Sequence, residues 1–215
     1  MIGFMIELYT HATPNGHKVS ILLEELGLPY RIHLVDLVKN EQFAPEFVAI
    51  NPNSKIPAIV DPDGPDGQAL TVWESGAILI YLAEKAGSEL LPKTPRDRYA
   101  TLQWLMFQMA GVGPMLGQAG HFTLYAKEPV QYGIDRYSNE SKRILGVMDR
   151  QLAAHRFLAG DAYTIADIAT FPWTNSALRI PTIGGFDAWP NVARWRAELG
   201  ARPAVQRGLA QPKRD

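Results

Sequence analysis

Two hydrophobic periods divide this chain, and their order leaves few architectures open. Up to about residue 86 the two-residue period of strands alternates with the 3.6-residue period of helices; beyond it only the helical period remains. "MIELYT" puts Ile6 and Leu8 on one face. A helical stretch follows, amphipathic from Val19 to Leu28, with its stop at Gly27. "PYRIHLVDL" alternates again, with Tyr30, Ile32 and Leu34 together. Strand, helix and strand at this spacing form a βαβ unit with a parallel pair, since a parallel return needs a long crossover. Next come a short helix over Pro45–Ile50, a strand "AIVD", a hairpin loop "PDGPDGQ", a return strand "ALTVW" and a helix "ESGAILIYLAEKAG" that Gly87 closes. The order βαβ–α–ββα predicts a small α/β unit with a mixed sheet.

"SELLPKTPRD" breaks the composition, with Pro92 and Pro95 bracketing a polar link. The expected division is a domain over 1–87, a linker over 88–95 and an all-helical domain over 96–215. Leu102, Leu105, Met106 and Met109 recur at helical spacing. Tyr137, Ser141, Ile144, Leu145, Met148 and Leu152 share a second helical face. "TIADIATFPWTNSALR" and "NVARWRAELGARPAV" supply two more helices.

Composition excludes several roles. A near-neutral charge of −1 and 47% apolar residues describe a chain with a full core and no nucleic-acid partner. No run of about 18 apolar residues offers a membrane span. "MIGFMIELYT" is too short for a signal peptide, lacks its basic flank and cleavage site, and alternates instead like a first strand, so a cytoplasmic location is the default. Cysteine is absent, which removes disulfides, thiolate metal sites and a Cys nucleophile. His11, His17, His33, His121 and His155 show no ligand-like spacing, so no metal site is expected.

Several short motifs carry chemistry. In "YTHATPNGHKVS", Thr13, Pro14, Asn15, Gly16 and His17 form a knot of turn formers before a helix. Thr13 and Asn15 either cap the first turn or face a ligand, because a helix N-terminus attracts thiolates and other anions. In "SKIPAIVD", Pro57 is either a trans strand-start proline or a cis proline that turns the Ile56 backbone outward to pair with an extended peptide ligand. "WESG" opens a helix: Ser75 is its expected N-cap, or Ser75 holds a carboxylate, Glu74 an ammonium, and Gly76 allows close approach, a set suited to an α-amino acid head group. "TIAD" pairs Thr164 with Asp167 in a capping-box pattern and reads as structural. Pro172, inside the helix that follows, predicts a kink.

In this order the motifs resemble the cytosolic glutathione transferases over essentially the whole chain. "TPNGHKVSILLEELGLPY", "QFAPEFVAINPNSKIPAIVD", "LQWLMFQMAGVGPMLGQ" and "IDRY" are similar in particular to the bacterial Nu class, the yeast prion-like branch. The resemblance implies an α/β thioredoxin-like N-terminal domain followed by an all-α C-terminal domain. It implies a glutathione-dependent disulfide-bond reductase that uses the thiols of bound glutathione. The alternatives are conjugation of glutathione to electrophilic small molecules, with "MFQMAGVGPMLGQ" lining a second pocket, or a non-catalytic glutathione-binding module, against which stands the lack of a long polar extension. Carried onto matching positions, Glu74 and Ser75 hold the γ-glutamyl head, and Ile56 with a cis Pro57 pairs with the cysteinyl backbone. Lys55 and Gln42 reach the glycyl end, Thr13 and Asn15 face the sulfur, and Arg136 contacts the ligand from the helical domain. Tyr9 lies within the strand rather than at the sulfur. Glutathione as cosubstrate, a small disulfide or electrophile and a homodimer are the implied partners.

Overall fold

The computed structural model describes residues 5–213. Met1–Phe4, where the expected first strand was to begin, and Arg214–Asp215, in the expected solvated tail, lie outside the described residues. The chain divides into two compact units. The first comprises residues up to Ser88 together with those from Pro203 on; the second is Glu89–Arg202.

The first unit contains β1 (Ile6–Thr10), α1 (Pro14–Leu26), β2 (Tyr30–Leu34), α2 (Pro45–Ile50), β3 (Ala58–Asp61), β4 (Leu70–Trp73) and α3 (Ser75–Lys85). The sheet order is β2-β1-β3-β4. β1 and β2 run parallel, as a βαβ crossover requires, while β3 opposes both β1 and β4. Leu8 and Ile59 share a face with Ile32 and Val72. Leu8 and Ile59 are fully buried, as are Val19, Leu22, Ile78 and Leu79 from α1 and α3. Tyr9, His33 and Ala58 occupy the opposite face, where Phe47 of α2 lies 6.3 Å from Tyr9 between ring centroids and His33 stacks on Tyr9 at 4.5 Å. Leu34, grouped above with Tyr30 and Ile32, is 53% exposed, because β2 is an edge strand.

α1 begins one turn before Val19. Thr13 caps it, with Oγ1 accepting from Gly16 N–H at 3.1 Å, and Pro14 occupies the first helical position. The turn formers Pro14–His17 are therefore the helix's first turn. Gly27 ends it in the left-handed region at φ 64°, and Leu28 N–H closes back on Leu23 C=O at 3.1 Å.

The second unit contains α4 (Pro95–Phe107), α5 (Gly113–Gly120), α6 (Gln131–Ala154), α7 (Ile165–Ala177) and α8 (Pro190–Gly200). Two π-helical turns, Gln108–Val112 and His121–Tyr125, follow α4 and α5. The buried face runs through Thr101, Leu105, Gln108 and Val112, while Met106 of the expected stripe is 49% exposed. The α6 face is buried at Ser141, Ile144, Leu145, Met148 and Leu152, with Tyr137 partly buried. At α7 both halves of the capping box are made. Asp167, fully buried, also accepts from Leu158 N–H at 3.0 Å and Trp195 Nε1–H at 2.9 Å, so the motif ties a connecting turn and α8 to the start of α7. α7 continues through the buried Pro172, where a kink was expected.

The segment expected to be a polar linker is partly structural: Leu91 is 2% exposed and Leu90 C=O accepts Ile165 N–H at 2.9 Å. "NVARWRAELGARPAV", read as one helix, is two, because Pro203 cannot continue α8 and starts α9 (Pro203–Leu209). α9 packs on α1 in the first unit, so the helical unit ends at Arg202 rather than at residue 215.

Candidate ligand site at the end of the sheet

Strand register brings three short segments to one end of the sheet. Tyr9, at the exit of β1, lies opposite Ala58 at the entry of β3, and Ala58 lies opposite Trp73 at the exit of β4. The turn before α1, the Ile56–Pro57 peptide and the start of α3 must therefore meet there. β2 runs parallel to β1 and leaves at the same end. The connection from β2 to β3, with Gln42 and Lys55, thus starts and finishes there too. Two helix N-termini, those of α1 and α3, open at this end, and each carries partial positive charge that favours an anion.

Thr13 and Asn15 stand at the cap and in the first turn of α1. Gly16 allows that turn to approach β1: a Cβ there would lie 2.3 Å from His11 O and 2.4 Å from Thr10 Oγ1. The Ile56–Pro57 bond is cis. Ile56 packs against the buried cluster of Val35, Phe47 and Ala58. The loop before it is closed by buried Asn51, whose Nδ2 donates to Lys55 C=O at 2.7 Å and whose Oδ1 accepts Asn53 N–H at 2.9 Å. The Lys55 side chain is exposed. Gln42 sits in a 3-10 turn, Glu41–Phe43, and its Oε1 is buried without a partner among the described residues.

The start of α3 corrects one expectation. The cap is Glu74, not Ser75, which is the first helical residue. Glu74 is exposed and held at φ 70°, ψ 113°. A non-glycine residue in that region is strained by about 1–3 kcal/mol, and such strain clusters at ligand clamps. Ser75 is buried, and its Oγ accepts from Lys18 Nζ at 3.2 Å. Burial pulls the Lys18 ammonium down to about 7, against the opposing pull of the Glu74 carboxylate. Sequence reasoning passed over Lys18. The signal was present, since a lysine three and four residues before Ile21 and Leu22 shares their core-facing stripe.

Arg136 belongs to the second unit. It is exposed near the start of α6 and lines a groove of about 530 Å³ together with Met115, Tyr132, Tyr137, Glu140 and Arg143. Arg143 grips Glu140 through two hydrogen bonds of 2.8 and 2.7 Å and, with help from Arg136, holds that carboxyl below its usual range. Thr13, Asn15, Ile56, Glu74 and Ser75 are thus brought to one end of the sheet, Gln42 and Lys55 lie on the connection that begins and ends there, and Arg136 stands in a groove of the helical unit.

Residues 12–85 match the model of the glutathione S-transferase N-terminal domain, and residues 112–203 that of the C-terminal domain. Disulfide-bond oxidoreductase YfcG of Escherichia coli is 48% identical over 206 residues, which cover 95% of this chain and 94% of that protein. The crystal structure of a glutathione transferase from Burkholderia graminis, with two glutathione molecules bound per subunit, is 51% identical with a TM-score of 0.94, covering 98% of this chain and 90% of that one. A Pseudomonas putida glutathione transferase with one glutathione disulfide bound per subunit is 50% identical with a TM-score of 0.93, covering 97% and 92%.

Proposed function

The chain belongs to the glutathione S-transferase family, and from that premise we propose that it is a disulfide-bond reductase that works with the thiols of bound glutathione. The observation that carries this reading is the pair of neighbours at 50–51% identity, one holding two glutathione molecules and the other their disulfide. A site of that shape accepts both thiols of an exchange. The 215 residues contain no cysteine, so neither sulfur comes from this chain.

The first glutathione thiolate attacks a disulfide RSSR, forming a mixed disulfide and releasing RS⁻, which takes up the thiol's proton. The second glutathione attacks the mixed disulfide at the glutathione sulfur, giving oxidised glutathione and a second RSH. In this reading Thr13 and Asn15 donate to the thiolate at the N-terminus of α1. Glu74 and Ser75 hold the γ-glutamyl head, the Ile56 backbone pairs with the cysteinyl unit, Lys55 and Gln42 meet the glycyl end, and Arg136 adds a contact from the helical unit.

Thiolate stabilisation alone supplies little. Lowering a thiol pKa from about 8.5 to about 6.5 raises the thiolate fraction at pH 7 roughly 25-fold, but a Brønsted slope of about 0.4–0.5 takes back roughly eightfold. The net gain is about threefold, so most of the acceleration comes from holding two sulfurs in line, where effective molarity is worth several kcal/mol.

The test is steady-state reduction of 2-hydroxyethyl disulfide with glutathione as the only thiol, with oxidised glutathione followed through glutathione reductase and NADPH. Turnover well above the uncatalysed exchange supports the reading. Background exchange with glutathione still bound refutes it and leaves conjugation, measured with 1-chloro-2,4-dinitrobenzene, or a binding role. A domain boundary within residues 88–95, a homodimer and a cytoplasmic location complete the proposal. No helix among the described residues is long and apolar enough to cross a membrane. A monomer by gel filtration at micromolar concentration removes the dimer.

A further inference from the structure

Lys18 is 1% exposed, on a helix face that otherwise carries apolar residues into the core. A lysine is almost never buried this deeply without a partner that uses its charge. Its ammonium donates to Ser75 Oγ at 3.2 Å, at the first residue of α3, and feels the carboxylate of Glu74 one residue earlier. The two helices whose N-termini open at the ligand end are therefore joined, 57 residues apart in sequence, by a buried cation behind the second of them.

A serine hydroxyl that accepts from an ammonium keeps its own hydrogen to donate, and accepting makes it a stronger donor. We propose that Lys18 is a positioning residue for the γ-glutamyl carboxylate of glutathione, acting through Ser75; this rests on the glutathione reading above. Lys18 orients the Ser75 hydroxyl toward the carboxylate and adds positive charge behind the α3 N-terminus. Charges then alternate through the site: ligand ammonium on Glu74, ligand carboxylate on Ser75 and Lys18. Burial works against the Lys18 charge, and an incoming carboxylate restores it, so this contribution is made with the ligand in place.

The experiment measures, by isothermal titration, binding of glutathione and of 4-aminobutanoyl-cysteinylglycine, which is glutathione without the γ-glutamyl α-carboxylate. Lys18→Met keeps length and removes charge; Lys18→Arg keeps charge. Lys18→Met is expected to weaken glutathione about tenfold or more, to change binding of the analogue less than about twofold, and to cost clearly less in a Ser75→Ala background than in the wild type. Lys18→Arg recovers most of the loss. Equal weakening of both ligands in Lys18→Met, or none for either, overturns the proposal, because a residue that only fills the core cannot tell the two apart. Lys18→Gln serves the same comparison if the methionine variant does not fold. Failure of the wild-type protein to bind glutathione overturns instead the reading on which this inference rests.

Discussion

Gly16→Ala asks whether the ligand end depends on how closely α1 seats against the exit of β1. The added Cβ would lie 2.3 Å from His11 O and 2.4 Å from Thr10 Oγ1. The Thr10 hydroxyl can rotate away. The His11 oxygen is backbone and already accepts Thr13 N–H at 2.7 Å, so relief must come from the first turn of α1 backing off by roughly 1 Å. Overpacking of this kind costs about 1–3 kcal/mol, and the better helix propensity of alanine returns about 1 kcal/mol. The net loss of about 0–2 kcal/mol corresponds to a Tm drop of between zero and about 8 °C for a chain of this length. Chemistry is hit harder, since a misplacement of about 1 Å can cost about a hundredfold. The expected signature is kcat/KM for 2-hydroxyethyl disulfide down roughly ten- to a hundredfold with a Tm drop within that range by calorimetry. A kcat/KM within about twofold of wild type, whatever the Tm, refutes the reasoning, because it means that the thiolate end of α1 tolerates the displacement.

Three other substitutions probe separate links. Thr13→Ala removes the cap on Gly16 N–H and is expected to cost about 1 kcal/mol in a urea melt; loss of its thiolate donation lowers turnover only about threefold, and abolished turnover at unchanged glutathione affinity contradicts that arithmetic. Gly208→Ala places a Cβ 2.5–2.7 Å from Ile21 Cα, N and Cγ1, where backbone cannot yield, so a loss of about 1–3 kcal/mol is expected; an unchanged Tm disproves the close packing of α9 on α1. Burial raises the Asp167 carboxyl from 3.8 to about 6 despite four donors. Because the folded value is the higher one, the contribution of this group to stability is full below about pH 4 and is lost as pH rises through about 6. Wild type should therefore lose stability relative to Asp167→Asn across that window in thermal melts, and a constant difference would rule this out.

Much of the fold was legible because its signals are local. The alternation in "MIELYT", the stop at Gly27, the short helix Pro45–Ile50 and the Thr164–Asp167 box each depend on neighbours within a few residues, and each is found where the pattern put it. Where the reading slipped, a longer-range or phase effect won. The buried face of α4 runs through Thr101 and Leu105 and leaves Met106 exposed. Pro203 split one apparent helix into two. Glu74, in a conformation no propensity favours, took the cap expected of Ser75. Leu91 and Leu90 drew a polar-looking linker into the helical unit.

By itself the sequence determined the order and type of the elements, the two-period division, the absence of a protein thiol and the resemblance that named the residues of the site. Tertiary structure decided which of those residues meet. Strand register put the starts of α1, β3 and α3 at one end of the sheet. Folding then buried Lys18 against Ser75 and docked Gly208 on Ser20, whose hydroxyl donates to its carbonyl at 2.7 Å across 188 residues. Hydrophobic period and capping act over one or two turns of chain, whereas a buried charge or a close backbone approach is defined only by the element packed against it.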